Sequence, residues 1–435
     1  MLATPAYPRP RRHWAFAAAL AALLAIASYS RAGRCGQPGE DITVSVLTFG
    51  PGDHPFFKFG HNAILVHDAG RHRDDVYNFG TFNFSSMMLI PEFLKGRILY
   101  WLSVQSFDGT IAHYREQNRS VVAQELALTP EQRSTLAVRL AQNARPDRRY
   151  YKYDYFRDNC STRVRDAIDS VIGGRIHEAT RGPASMSLRA HTERLAADDI
   201  LFYLGLEVVL GAYVDRPISQ WDEMFLPSKL QEYLRRVTIV GPNGDVPLVS
   251  AESVLVASTR PPVRATPPQR VAPMVLVGAL AGAAVAALGR VGARRRPAQV
   301  AFAAVLLAVS LALGCMGCAF VFLWLATDHE ATHQNENILQ CPPWAIVLSV
   351  AAARLVMKRK GNERAVQTAA AIVFASSLIG LALKAVRVFH QDNGQIIALL
   401  LPIWLGAAIG SGWPFWPLTL RPSMVDKRSP LAPTP

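Results

Sequence analysis

Cysteine is scarce in this chain: five residues scattered over 435. That is too few, and too unevenly spaced, for a disulfide framework. Tight metal-ligand spacings are absent as well. His54, His61, His67 and His72 lie near Asp53 and Asp68 in sequence, but no interval among them matches a zinc pattern. No metal and no organic cofactor is therefore expected. There is no internal repeat, which excludes a repeat array, and no low-complexity tract outside one proline-rich stretch. Acidic residues are sparse beyond residues 41–255, where only 7 of the 33 occur against 22 Lys and Arg. Inside 41–255 the signs nearly cancel, with 24 basic and 26 acidic residues. The net charge of +13 thus sits in tails, linker and loops between apolar runs. That placement belongs to membrane topology and excludes a basic face for nucleic acid.

What the chain has in quantity is apolar sequence, unevenly distributed. Arg9, Arg11 and Arg12 precede an apolar stretch from Trp14 to about Ser28, a signal peptide or an uncleaved signal anchor. Ala25-Ile26-Ala27 is a candidate cleavage site. Residues 1–40 form this leader and a short linker, and 41–255 read as a water-soluble domain. A proline-dense linker, 256–271, follows; such density suits a semi-rigid spacer. Residues 272–417 read as an all-α domain of five membrane spans, near 272–289, 299–326, 343–357, 366–386 and 396–416, with a tail at 418–435. The third span is short enough to be re-entrant, and the second is long enough to tilt. Arg290, Arg294–Arg296, Lys358–Lys360, Arg364, Lys427 and Arg428 fall on the side of the N-terminal arginines if every run crosses. The soluble domain and the loops 327–341 and 388–395 then share the other side.

The soluble domain alternates strand and helix signals, which makes it α+β. Ile42 to Thr48 alternates as a strand, and His61 to His67 is apolar on both faces, hence an internal strand. A turn at Asp68–Arg71 returns the chain through Val76–Phe79 as a hairpin. Thr129-Pro130-Glu131-Gln132 is a capping box opening a helix with Leu136 and Leu140 on one face. A second helix opens at Cys160, carries Val164, Ile168 and Val171, and is expected to end at Gly173-Gly174.

Cys160 precedes Val164, Ile168 and Val171 by four, eight and eleven residues, so it lies in line with the buried stripe at a helix's positive end. A plain core cysteine accounts for that position. Polar flanks favour more: Asp158 and Asn159 before it, Ser161 and Thr162 after it. A thiolate is stabilised at a helix N-terminus, and a histidine facing it completes a nucleophile and base pair. His61 is the candidate base; the plain alternative is a satisfied core histidine. Gly60 before it allows close approach of a backbone or a ligand. Cys315 and Cys318 read as small packing residues inside an apolar run.

Three segments carry a resemblance: Phe59-Gly60-His61-Asn62-Ala63, Tyr77-Asn78-Phe79-Gly80-Thr81-Phe82, and the run from Tyr151 through Asn159-Cys160-Ser161-Thr162 to Arg163. They resemble the Lnb N-terminal periplasmic domain family. The order of histidine on a strand, then cysteine at a helix start, resembles the permuted papain-like (NlpC/P60-like) thiol fold. The similarity spans roughly 42–240, including Trp221 to Pro227, and continues in the loop around Asp328, His329, Asn335 and Asn337.

The resemblance implies a multi-pass enzyme of the bacterial inner membrane, with its catalytic domain on the periplasmic side. It implies transfer of a fatty acyl chain from a membrane phospholipid to the N-terminal amine of lipoproteins. Cys160 carries over as nucleophile and His61 as base. Asn78 is the orienter if the hairpin closes at Gly70-Arg71, with His72 as the alternative. Backbone N–H groups at the helix start, with Asn159 and Ser161 as support, are the expected oxyanion donors. Ile200 to Ala212 is either an acyl-groove wall or an ordinary buried helix. Asp328, His329, Asn335 and Asn337 are either a polar loop or contacts for head groups or the acceptor. Two other functions remain open at this level: a thiol hydrolase (a cell-wall peptidase or lipase), and a non-catalytic membrane receptor or assembly protein.

Overall fold

A computed structural model describes residues 37–82, 95–96, 99–241, 244–357 and 362–412. The leader, the basic loop at 358–360 and the tail with Lys427 and Arg428 lie outside the described residues. The first domain is built on strands β1 (Ile42–Phe49), β2 (His61–Asp68), β3 (Arg73–Thr81), β4 (Leu99–Ser106), β5 (Val121–Leu126), β6 (Tyr150–Lys152), β7 (Thr238–Gly241), β8 (Gly244–Pro247) and β9 (Val249–Val256). Seven of them form one antiparallel sheet in the order β6-β4-β3-β2-β1-β5-β9, and β7 and β8 make a separate hairpin.

Helices α1 (Phe107–Glu116), α2 (Pro130–Asn143), α3 (Cys160–Asp169), α4 (Leu188–Ala196), α5 (Ile200–Val209) and α6 (Pro227–Leu234) complete this domain, with short helical turns at Arg175–Ala179 and Gln220–Glu223. One sheet face, with Val46, Ile64 and Phe79, packs under Leu136, Val164 and Leu230. The opposite face, with Leu47, Phe49, Ala63 and Val76, packs against Ile111. Burial on both faces is why the β2 sequence is apolar throughout, and β2 lies at the centre of the sheet. The Thr129–Gln132 capping box is formed and starts α2.

The second expected helix is shorter than its sequence pattern suggested. α3 ends at Asp169, with Ser170 as C-cap, and Val171 lies beyond it. Gly173 and Gly174 both have positive φ (72° and 83°) and turn the chain toward the next helical segment instead of closing α3 itself.

The second domain comprises α7 (Val271–Gly292), α8 (Arg296–Ala326), α9 (Ala345–Val356), α10 (Asn362–Leu383) and α11 (Gly394–Gly410). Among the described residues, α7, α8 and α10 are the helices long and apolar enough to cross a membrane. α9 has 12 residues and α11 has 17, against the ~20 needed for a perpendicular span. α7 and α11 approach backbone to backbone: a Cβ on Gly282 would lie 2.1 Å from the Pro402 carbonyl oxygen. Small residues are required for such contact between membrane helices. Cys315 and Cys318 are not packing residues. They are exposed on α8, and the neighbouring packing positions are Gly314 and Gly317.

The two domains are joined by more than the linker. Leaving its C-terminal turn, α5 presents carbonyls with no intrahelical donor. Asn335 Nδ2 donates to Val208 O and Val209 O (2.8 and 3.0 Å), Asn337 Nδ2 to Glu207 O (3.1 Å), and Gln391 Nε2 to Leu210 O (2.9 Å). The loops 327–341 and 388–395 thus both touch the first domain. The linker is also pinned: Arg260 forms an ion pair with Asp53, and Arg270 donates to Ala197 O (2.6 Å).

Candidate active site

Cys160 is the first residue of α3, and Asn159 is its N-cap. The helix start is held by the Trp221–Pro227 segment: Asn159 Nδ2 donates to Phe225 O (2.9 Å), Ser161 Oγ to Met224 O (2.7 Å), and Arg165 to Trp221 O (2.6 Å). Asp158 adds a bidentate ion pair to Arg163, 2.5 and 2.7 Å. The polar flanks of Cys160 therefore brace the helix start that carries it. They are not free groups.

That finding changes the expected oxyanion donors. Asn159 Oδ1 accepts from the amides of both Ser161 (2.8 Å) and Thr162 (2.9 Å). Both N–H groups therefore donate to the N-cap, the Ser161 amide while also acting on the Cys160 sulfur, and Asn159 Nδ2 and Ser161 Oγ are spent on backbone carbonyls. The Cys160 amide is another of the four that helix geometry leaves without an intrahelical acceptor.

His61 opens β2. Gly60 before it has φ +81°, and a Cβ there would lie 2.8 Å from the Phe49 carbonyl oxygen, so only glycine lets β1 and the Gly60 backbone approach this closely. The ring stacks on Phe49, centroids 5.7 Å apart. His61 Nε2 lies 3.3 Å from Asn78 Oδ1. Asn78 Nδ2 faces two acceptors, Val76 O (3.3 Å) and Gln105 Oε1 (3.2 Å), which assigns the amide orientation. Asn78 Oδ1 therefore accepts from Nε2–H, and Nδ1 keeps the lone pair of a base.

His72 does not reach this place. It sits in the turn between β2 and β3 with φ 51°, at the far end of β2 from His61.

His61 and Cys160 approach from opposite faces of the sheet. By alternation His61 shares a face with Ala63 and Asn78, whereas Cys160 packs in the cluster of Ile64, Val66 and Phe79. Cys160 meets the sheet where the β3–β4 ladder opens. The β3–β4 register shifts between Asn78 and Thr81, and Gly80 has φ +89°. The Cys160 Cβ lies 3.6 Å from where a Gly80 Cβ would stand.

Burial pushes the Cys160 thiol above its ordinary value. The amides of Asn62, Ser161 and Cys160 pull it back, as does the charge of Arg119. Burial also pushes His61 down to about 4, with Arg119 adding to the effect and the Asn78 hydrogen bond opposing it. The resting pair is a neutral thiol and a neutral imidazole, not the preformed thiolate that a helix N-terminus alone suggests. The Asn62 amide, next in the chain to His61, acts on the sulfur.

Four aromatic residues surround this centre. Phe82 meets Tyr100 (4.8 Å), Tyr100 stacks on Tyr153 (4.1 Å, 22°), and Tyr153 meets Tyr155 edge-on (5.9 Å). Tyr155 lies parallel to His329 of the second domain, 6.3 Å away. Asp328 pairs with Lys152 (2.5 Å), and Glu330 pairs with Arg157. Asp328 and His329 thus brace the segment leading to Cys160. Asn335 and Asn337 are 3% and 0% exposed, and their side-chain amides cap α5. Sequence reasoning missed Arg119 and Gln105 because neither stands in a motif; Tyr151 opens the third segment, but nothing in the sequence gives it a role, and only the fold brings all three to the site.

α5 is not an ordinary buried helix. Leu201 is 80% exposed, and Leu204, Gly205, Val208 and Val209 form one wall of an apolar groove of about 380 Å³, with Met316 and Phe320 of α8 on the other.

Residues 37–194 match the model of the Lnb N-terminal periplasmic domain, and residues 266–409 match the model of the Lnb transmembrane domain. No curated protein and no solved structure matches the chain.

Proposed function

Because the chain belongs to the Lnb family, with both of the family's domains in order along it, we propose that it is an acyltransferase that carries a fatty acyl group on Cys160. It is a membrane protein with a periplasmic domain; the bacterial inner membrane is the proposed membrane. The observation that carries the reading is the hydrogen bond from His61 Nε2 to Asn78 Oδ1. It leaves Nδ1 as a base at the strand end where Cys160 meets the sheet.

In the first half-reaction the Cys160 sulfur attacks the carbonyl carbon of a membrane-lipid ester, taken to be a phospholipid, and its proton passes to His61 Nδ1. The carbon–oxygen bond then breaks, and the departing alkoxide takes the proton from His61, leaving a thioester. In the second, the α-amine of a lipoprotein's N-terminal cysteine attacks the thioester and gives its proton to His61. The carbon–sulfur bond breaks, and the departing thiolate takes the proton from His61, which restores the thiol and the neutral imidazole. A neutral resting imidazole suits both steps because it can accept a proton each time.

The groove between α5 and α8 supports a lipid substrate. An apolar channel beside a membrane-spanning helix accepts an acyl chain without desolvating polar groups. No metal or cofactor takes part in these steps.

The test is Cys160→Ala and His61→Ala in cells that depend on this protein for N-acylation, read by mass spectrometry of a lipoprotein N-terminus. A free amine in both variants is the expected result. Fully acylated lipoprotein in either would overturn the assignment. Release of free fatty acid with no acylated amine would instead identify a hydrolase.

A further inference from the structure

Tyr151 lies in β6 opposite Tyr100 of β4 and is 8% exposed. Its ring meets Phe79 edge-on (6.4 Å, 70°), and the Arg163 guanidinium covers it at 3.6 Å. The hydroxyl is buried; the Gly80 amide acts on its oxygen, but its hydrogen has no acceptor among the described residues. A buried donor without an acceptor costs about 1–3 kcal/mol, and native folds seldom keep one without a use.

Its position suggests the use. The Tyr151 hydroxyl oxygen lies 3.9 Å, and the Cys160 Cβ 3.6 Å, from the spot where a Cβ on Gly80 would stand. Tyr153 Cε2 closes a third side at 3.5 Å. Glycine at 80 thus leaves a small gap with the nucleophile's side chain on one side and the Tyr151 hydroxyl on another. Burial, and next the neighbouring Cys160, push the Tyr151 pKa up, so the hydroxyl keeps its proton and can donate it to an acceptor. The Ser161 and Thr162 amides already donate to Asn159, so the Tyr151 hydroxyl would be a second donor beside the Cys160 amide.

We propose that Tyr151 is a catalytic residue whose hydroxyl donates a hydrogen bond to the carbonyl oxygen of the fatty acyl group on Cys160. The inference rests on the acyl-thioester reading above. When the sulfur–carbon bond forms, the carbonyl π pair moves to oxygen, and the oxyanion is held by Tyr151 Oη–H together with the Cys160 amide. No proton is transferred from Tyr151. When the intermediate collapses, the pair returns, and the carbon–oxygen bond of the ester breaks.

The experiment uses the full chain in detergent with p-nitrophenyl octanoate, comparing wild type, Tyr151→Phe and Cys160→Ala. The burst of p-nitrophenol reports acylation, and alkylation by iodoacetamide reports the thiol without any oxyanion. The expected result is a burst rate about 10²–10³-fold lower in Tyr151→Phe, with KM and alkylation rate unchanged. A wild-type burst rate in Tyr151→Phe overturns the proposal and leaves the Cys160 reading intact if Cys160→Ala is inert. A loss of burst matched by an equal loss of alkylation also overturns it, because the hydroxyl would then act only on the thiol or the fold. A burst in Cys160→Ala equal to wild type overturns the acyl-thioester reading itself.

Discussion

The imidazole of His61 and the amide of Asn78 form one hydrogen-bonded unit, 3.3 Å between Nε2 and Oδ1, and the Asn78 amide is held in turn by Val76 and Gln105. A histidine at a strand end has two rotamer freedoms and two tautomers. Asn78 removes most of that choice. Replacing Asn78 by alanine should lower acyl transfer by about 10²-fold, the lower end of what a positioned base supplies, with KM little changed. Steady-state kinetics of acyl release check this, and Asn78→Gln is expected to restore little, because the longer side chain moves Oδ1's equivalent away from Nε2.

The same histidine makes folding stability depend on pH. Unfolded, a histidine titrates near 6.5; folded, burial holds His61 down to about 4. Between those values the unfolded chain binds the extra proton. The stability that comes from keeping His61 neutral is therefore complete above pH 6.5 and is lost as pH falls toward 4. The upper limit is about 3 kcal/mol at 1.36 kcal/mol per pH unit, less for the part of the ring that meets water. Thermal unfolding in detergent between pH 7 and 4.5 should show a steeper decline for wild type than for His61→Gln. Equal slopes would exclude His61 as the source.

Gly60→Ala should damage the site without touching a reacting group. Alanine meets two penalties there. The φ of +81° costs roughly 1–2 kcal/mol, and a Cβ 2.8 Å from the Phe49 carbonyl oxygen forces strands apart, typically at about 1–3 kcal/mol. A lowered melting temperature with a more than tenfold loss of turnover is expected. Unchanged turnover would mean that His61 is not held by this approach.

Asn337 separates a structural loop from a substrate-binding one. Asn337→Leu leaves the Glu207 carbonyl without the donor it has from Asn337 Nδ2, which should cost about 1–3 kcal/mol of stability. KM for the lipid ester should not move in the fraction that stays folded. Asp328→Ala removes an exposed ion pair with Lys152 and should cost less than about 1 kcal/mol. A large KM increase in either variant would return the loop to substrate contact.

Much of the fold was legible because it rests on local rules. The capping box at Thr129–Gln132, the two-faced apolar strand from His61 and the buried stripe through Val164 and Ile168 each need only near neighbours in sequence. The helix at Cys160 was overextended because Val171 continues the helical spacing, yet the chain leaves the helix at Asp169. Asn159 and Ser161 support the helix start, but through partners that no short window shows. A polar residue beside Cys160 looks available until Phe225 and Met224, more than sixty residues away, accept its hydrogen bonds.

The sequence by itself determined the two-domain plan, the membrane character of residues 272–417 and the candidate pair Cys160 and His61, because periodicity, hydropathy and residue chemistry are properties of short windows. Only the tertiary structure decided what those residues are free to do. The His61 tautomer depends on which way the Asn78 amide points, and that depends on Gln105 from another strand. The thiol is neutral at rest because burial outweighs the helix-start amides. The hydroxyl of Tyr151 matters only because a glycine at 80 leaves the space beside Cys160 open. Each is a balance between desolvation and a partner distant in sequence, and such a balance exists only once the chain has closed around it.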